Sequence, residues 1–72
     1  MNKRIVINNK VLSGKPVVKG TRISVDFIMG LLGNGWSYEE ILKEYPRLKR
    51  MDITAVLKYT SDIIHDERVI SI

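Results

Sequence analysis

The sequence of 72 residues contains no cysteine, one histidine and two prolines. The absence of cysteine excludes disulfides and thiolate metal sites together. No apolar run approaches the roughly 18 residues that a transmembrane helix requires, so we expect no membrane span. The amino-terminal residues also lack the apolar stretch and the small-residue cleavage site of a secretion signal. The sequence therefore predicts a cytoplasmic location.

Residues that usually carry catalysis or metal binding are scarce. His65 is the only histidine and lies near the end of the sequence without a companion ligand. Glu39 and Glu40 open a predicted helix, where carboxylates stabilise the positive helix end and do not form an acid–base pair. The acids close to the carboxyl terminus lack histidine or cysteine support and make a poor metal site. We therefore expect no catalytic activity, no metal and no cofactor.

Two glycine-containing pairs raise the possibility of a phosphate loop, a nucleotide-binding motif. Gly14-Lys15 and Gly20-Thr21 contain its residue types. In that motif, a first glycine is followed by any four residues and then by Gly-Lys-Ser/Thr, which stands directly at a helix start. Here Pro16 follows Lys15, so the order is wrong. We expect both glycines to lie in tight turns instead.

The net charge of +4 is distributed in blocks along the chain. Residues 1–23 carry six basic residues and no acid, and residues 46–58 carry four basic residues and one acid. Residues 24–45 between them have a net charge of −3 (four acids, one lysine), and residues 59–72 one of −2 (three acids, one arginine). Two basic blocks separated by an acidic stretch indicate a protein with a positive side, which favours contact with phosphate.

The first third of the sequence predicts a short β hairpin or an extended arm. Residues 4–7 form a short run typical of a β-strand, which ends at Asn8 and Asn9, and Val17-Val18 form a β-branched pair. Arg22-Ile23 are expected to pair with the first run. Because a lone hairpin is barely stable in water, it must lie on another part of the domain.

Three helices are predicted after the hairpin. Ser24 is a suitable N-cap for a helix from Val25 to Gly33 or Asn34, with a left-handed Gly35 after its end. Ser37 and Glu40 form a capping box for the second helix, which Pro46 ends. The third helix is predicted at about residues 50–64. The spacing of apolar residues predicts three buried faces: Val25, Ile28, Leu31 and Leu32; Ile41, Leu42 and Tyr45; and Ile53, Val56, Leu57, Thr60 and Ile64.

A short helix, a brief turn and a longer helix match the helix-turn-helix unit. In that unit the longer helix enters the major groove by its amino end, where arginine reads guanine and lysine neutralises phosphate. The residues expected to contact DNA are Lys49, Arg50, Thr54 and Lys58 in the third helix and Lys19 and Arg22 in the arm. Such helix pairs are also common in small domains that bind only protein, so a dimerisation or interaction module without DNA binding is the alternative.

Two sequence blocks resemble a known family. Residues 14–25 are similar to "GKPVIRGTRIPV", and residues 35–48 are similar to "GWSPEEILEDYPHL", which are signatures of the DUF433 family. The resemblance covers about residues 4–60. It implies a mainly α fold with a short β arm ahead of a three-helix, homeodomain-like or winged-helix-like module. It also implies a VapB-type antitoxin that neutralises a PIN-like nuclease toxin. Such a protein is expected to be a homodimer and to bind the double-stranded DNA of its own operator.

The sequence departs from the family pattern after Leu48. Lys49 stands at the N-cap of the third helix, where the family usually has threonine, and Asp52 is the remaining acid. A poor cap of this kind costs about 1 kcal/mol of helix stability.

One domain is expected over residues 1–72, with a basic arm (1–23), a helix-turn-helix unit (24–64) and a tail (65–72). The tail is predicted to bind the protein partner by adding a strand to a sheet edge, and either Arg68 in the tail or the basic arm is expected to plug an acidic nuclease site. Packing on the chain's own hairpin is the alternative. The residues concerned are Arg68, Val69, Ile70 and Ile72.

Overall fold

The fold begins with an antiparallel hairpin. The computed structural model describes residues 3–67, with side-chain surroundings up to residue 65. Strand β1 (Ile5–Ile7) pairs with β2 (Pro16–Val18) in a register that places Ile5 opposite Val18. A short 3-10 turn (Leu12–Gly14) connects the strands. Ile5 and Val18 are both buried in the core that the helices form, so the hairpin lies on the helices as its marginal intrinsic stability requires.

The segment after β2 pairs differently from the prediction. Gly20 has a φ of 81°, and the backbone amide of Thr21 donates to the carbonyl of Val18 at 3.0 Å. This tight turn returns the chain beside β2, where the amide of Val18 donates to the carbonyl of Ile23 at 3.0 Å. The expectation that Arg22-Ile23 pairs with the first strand is therefore wrong, because the turn is too short to reach β1. The interpretation of Gly20 as a turn glycine is confirmed.

Helix α1 (Val25–Gly33) has the predicted start and end. The Ser24 hydroxyl accepts a hydrogen bond from the amide of Phe27 at 3.0 Å, which satisfies one of the free donors at the helix start. Gly35 has a φ of 90°, and its amide donates to the carbonyl of Leu32 at 3.0 Å. This left-handed residue closes the helix as a Schellman motif, as the sequence indicates.

Helix α2 (Tyr38–Glu44) is fixed by the predicted capping box. The amide of Ser37 donates to Glu40 Oε1 at 2.8 Å, and the amide of Glu40 donates to Ser37 Oγ at 3.1 Å. The helix ends at Tyr45, which has a non-helical ψ of 76° because Pro46 follows it. The connection to the next helix places Leu48 in the core at 4% exposure.

Helix α3 (Arg50–Glu67) continues past the predicted end at Ile64, and its buried face differs in part. Ile53 and Val56 are fully buried as predicted, and Thr60 is half-buried. Leu57 and Ile64 are 36% and 55% exposed, so their assignment to the buried face is wrong. The buried stripe runs instead through Asp52, Ala55 and Val56, and residues 61–65 are exposed because the core covers α3 only as far as Thr60.

The core draws residues from every helix and both strands, and it confirms the predicted class of a mainly helical fold with a small amino-terminal sheet. Ile28, Ile41 and Ile53 are fully buried at its centre. The remaining buried members of the core cluster are Ile5, Val18, Val25, Leu48, Ala55 and Val56.

Within residues 3–67, no helix is long and apolar enough to cross a membrane.

Substitution by alanine is expected to change the stability of the domain in opposite directions at two glycines, Gly30 inside α1 and Gly35 just after its end. Gly30 is exposed inside the helix and a Cβ there meets open space, so Gly30→Ala should raise the free energy of unfolding by about 0.5–1 kcal/mol. Gly35 is left-handed, so Gly35→Ala should lower it by about 1–2 kcal/mol. Urea unfolding of both variants measures the difference, and effects of equal sign would contradict the left-handed helix end.

Candidate nucleic-acid interface

The two basic blocks of the sequence meet at the start of α3. Arg4 Nη1 donates to Asp52 Oδ1 at 2.9 Å, which connects β1 to the first turn of that helix. The backbone amide of Lys19 donates to the carbonyl of Arg4 at 2.8 Å, so Lys19 lies beside Arg4 across the hairpin. Arg47 Nη2 donates to the carbonyl of Gly20 at 3.1 Å and connects the α2–α3 segment to the turn after β2. Basic residues far apart in sequence thus surround one helix end.

Asp52 is the buried acid that organises this region, with 6% exposure. Its Oδ2 accepts a hydrogen bond from the backbone amide of Lys49 at 2.8 Å, while Oδ1 accepts from Arg4. Lys49 is the N-cap of α3 and Asp52 is its third residue, so this contact is one of the two hydrogen bonds of a capping box. The other bond requires an oxygen in the N-cap side chain, which lysine lacks. Asp52 therefore supplies part of the capping that Lys49 lacks.

The α3 groove, as we name it, runs along the outer side of the helix. Three of the residues predicted to contact DNA, Arg50, Thr54 and Lys58, lie together in it, one helical turn apart. All three are exposed. Arg4, Met51 and Ala55 complete its lining.

Each cation of the α3 groove that was predicted to contact DNA has an acidic neighbour. Arg50 Nη1 lies 3.1 Å from Glu39 Oε2, and its guanidinium stands 5.0 Å from the centre of the Tyr38 ring. Lys58 Nζ lies 2.9 Å from Asp62 Oδ1, one turn along α3. These side chains are well exposed, and exposed ion pairs contribute little free energy. Both cations can therefore exchange a carboxylate for a phosphate at small cost.

A second groove, which we name the hairpin groove, lies between the hairpin and the α2–α3 connection. Arg22 lines it together with Arg47, Thr21 and Gly20. Its remaining lining consists of Val6, Asn8, Val11 and Val17. The predicted residue Arg22 is thus separated from the α3 groove.

Lys19 and Lys49, the other two predicted residues, are exposed and line neither groove. Sequence reasoning missed Arg4 and Arg47 as members of the interface. Both belong to the basic blocks, which was the available signal, but their partners Asp52 and Gly20 are 48 and 27 positions away.

The predicted partner-binding residues lie outside the described part of the chain, so the structure places none of them. These residues are Arg68, Val69, Ile70 and Ile72.

In residues 3–67, no group of three or more His, Asp, Glu or Cys side chains is arranged to hold a metal ion.

The two carboxylates at the start of α2 are held in their charged form. A hydrogen bond from its own backbone amide, followed by one from Arg50, holds the pKa of Glu39 below its ordinary value of 4.5. Hydrogen bonds from the amide and the hydroxyl of Ser37 lower the pKa of Glu40 in the same way. The negative charge that restrains Arg50 is therefore fully present at neutral pH.

The hairpin, the three helices and the basic surface around the third helix define a small, mainly helical domain with an amino-terminal β hairpin. The chain belongs to the family described as protein of unknown function (DUF433), whose family model matches residues 5–60. The resemblance to this family is thereby confirmed, although the family itself carries no assigned function.

Two relatives show how far the similarity extends. The crystal structure of a DUF433 member protein from Anabaena variabilis matches with a TM-score of 0.81 and 27% sequence identity, over 88% of this chain. The chain spans 62% of the length of that protein. An uncharacterized protein of Archaeoglobus fulgidus is 62% identical over 24 residues, which are 33% of this chain and 67% of that protein. The family and the fold are thus shared with the Anabaena variabilis protein.

Removal of the Asp52 carboxylate should destabilise the domain. We expect Asp52→Ala to lower the free energy of unfolding by about 2 kcal/mol, because it removes a helix cap and a charge-assisted hydrogen bond to Arg4. Asp62→Ala is the matched control, since it removes an exposed acid from the same helix, and should cost less than about 0.5 kcal/mol. Urea unfolding measures both losses. Equal losses would show that Asp52 does not organise the interface.

The titration of Glu39 should report on its contact with Arg50. Because the folded pKa of Glu39 is lowered, its contact is fully present above the ordinary value of 4.5 and is lost as pH falls through the folded pKa. Arg50→Gln should move the Glu39 pKa part of the way back to 4.5 and leave that of Glu40 unchanged, since Ser37 controls Glu40. Carboxyl carbon shifts in an NMR pH titration resolve the two groups. An unmoved Glu39 would mean that Arg50 is not its partner in solution.

Proposed function

We propose that the chain is an antitoxin-like regulator of a type II toxin–antitoxin pair, which binds its operator DNA through α3 and neutralises a PIN-like nuclease. The observation that carries the DNA half is the convergence of both basic blocks at the start of α3. Arg4, Lys19 and Arg47 belong to different segments, yet hydrogen bonds gather these segments around one helix end. Such a concentration of positive charge favours phosphate.

The geometry of α3 suits entry into a major groove. The major groove is about 12 Å wide and admits one helix, whose amino-terminal residues reach the base edges. Arg50, Thr54 and Lys58 form an exposed row on the first half of α3. In the proposed complex Arg50 exchanges Glu39 for a guanine edge or a phosphate, and Lys58 exchanges Asp62 for a phosphate. Leu48, buried in the connection, holds α3 in position.

The exposed apolar side chains of α3 support the partner-binding part of the proposal. Leu57, near the middle of the helix, is 36% exposed, and Ile63 and Ile64, in its second half, are 41% and 55% exposed. Exposed apolar side chains on one stretch of helix are typical of a surface that another protein covers. This observation also favours the alternative, a homodimerisation or protein-interaction module without DNA binding. In either form, the proposed protein acts in the cytoplasm by binding and has no catalytic activity of its own.

DNA binding should depend steeply on salt and on Arg50. A labelled duplex of about 20 base pairs from the region upstream of the gene should bind at 50 mM salt and weaken strongly by 200 mM, because bound phosphates release counterions. Arg50→Gln should weaken binding by about 1–3 kcal/mol, as loss of a base or phosphate contact requires. Glu39→Gln should strengthen it, since the competing carboxylate is removed. Fluorescence anisotropy measures all of these affinities.

Lys43→Gln is the matched control for these measurements. Lys43 is exposed on α2 and lines neither groove, so its loss should change the affinity little. No binding of the duplex at 50 mM salt would overturn the DNA half. If a PIN-like product of the neighbouring gene still co-purifies with the chain, the interaction-module alternative then stands.

A further inference from the structure

We propose that the hairpin groove is a second phosphate site, which holds the sugar–phosphate backbone of the DNA while the α3 groove faces the bases. This inference rests on the proposed function and deepens it, since it adds a contact surface on a different element. Its basis is the arrangement of Arg22 and Arg47 above an apolar floor.

The groove lies on the side of the hairpin that faces away from the core. Side chains alternate between the two faces of a strand, so Ile5 and Val18 point to the helices while Val6 and Val17 point the other way. Val17 is only 2% exposed although it does not belong to the core cluster. The segments around the hairpin groove therefore form a built depression with a covered floor.

The rim of the groove is positive. Arg22 and Arg47 line it, and among residues 3–65 no acidic side chain does. In contrast to Arg50 and Lys58, the Arg22 side chain has no ion pair with any residue whose surroundings the structure describes. A phosphate at Arg22 therefore displaces no carboxylate of these residues, whereas one at Arg50 or Lys58 displaces Glu39 or Asp62.

The Arg47 side chain and the backbone around Arg22 are held in place before any ligand arrives. Arg47 spends one guanidinium donor on the carbonyl of Gly20 and retains others for a ligand. The Thr21 hydroxyl donates to the carbonyl of Val18 at 2.8 Å and accepts from the amide of Ile23 at 3.0 Å. These bonds fix the backbone on both sides of Arg22. Because the backbone of the turn is already ordered, a phosphate that binds there has to order the Arg22 side chain but not the turn itself.

The two grooves are lined by different residues, but segments of both lead to the start of α3. Arg47 precedes Leu48 and the first turn of that helix, while Arg4, which lines the α3 groove, is hydrogen-bonded through its carbonyl to Lys19 beside Gly20. A duplex that places its bases along α3 therefore has its backbone close to the hairpin groove. The apolar side chains of Val6 and Val11 suit the sugar, and the guanidinium groups suit the phosphate.

The test combines NMR with the salt dependence of affinity. The isotopically labelled full chain is titrated with the upstream duplex at 50 mM salt, and amide shifts are followed at residues 20–22 and 50–58. The slope of log affinity against log salt is then measured for the unchanged chain, Arg22→Gln, Arg22→Lys and Lys43→Gln. We expect shifts in both segments and a slope reduced by about 1 in Arg22→Gln, as the loss of one phosphate contact requires. Arg22→Lys should restore the slope, and Lys43→Gln should leave it unchanged.

The outcomes separate this inference from the proposed function. Shifts confined to residues 50–58, with an unchanged slope in Arg22→Gln, overturn the hairpin site and leave the role of α3 intact. Shifts confined to residues 20–22 support the hairpin site and overturn the proposed role of α3. An absence of binding overturns both. Because Arg22 is exposed, its variants should remain folded, which the dispersion of the amide spectrum verifies.

Discussion

The contact between Arg4 and Asp52 is the constraint on which the surface depends. It spans 48 positions and joins the first strand to the first turn of α3. The hairpin is also held by the buried side chains of Ile5 and Val18 and by the hydrogen bond from Arg47 to Gly20. The same carboxylate caps the backbone of Lys49, so one buried group serves tertiary packing and the helix end together. A charged group is tolerated at 6% exposure because both its oxygens have donors.

Much of the fold was predictable from the sequence because its signals are local. Ser24, Ser37 and Gly35 mark helix ends through hydrogen bonds that reach only a few positions, and all three act as predicted. The apolar spacing likewise identified the central isoleucines. The errors lie where the outcome depends on distant elements. Leu57 and Ile64 fit a helical period, but which side of α3 is covered, and how far, depends on the hairpin and α1.

The candidate site shows the same division. Charge blocks in the sequence indicated a positive side, and Arg50, Thr54 and Lys58 do share one face of α3. What sequence reasoning missed was the role of Arg4 and Arg47, because their partners are a distant carboxylate and a backbone carbonyl. It also gave no indication that Arg50 is restrained by Glu39 and Tyr38 on the preceding helix. These contacts depend on how α2 and α3 are placed relative to each other, which the spacing of apolar residues within each helix does not determine.

The shared role of Asp52 has a consequence for how the domain opens. If the hairpin lifts from the helices, Arg4 leaves Asp52, and the carboxylate that caps the first turn of α3 becomes solvated. We therefore expect the strand pair and the first turn of α3 to open together, whereas residues 61–65, which the core does not cover, need not open with them. Arg4 and Lys49, the two basic residues that this carboxylate holds, should then lose their relative positions in a single event.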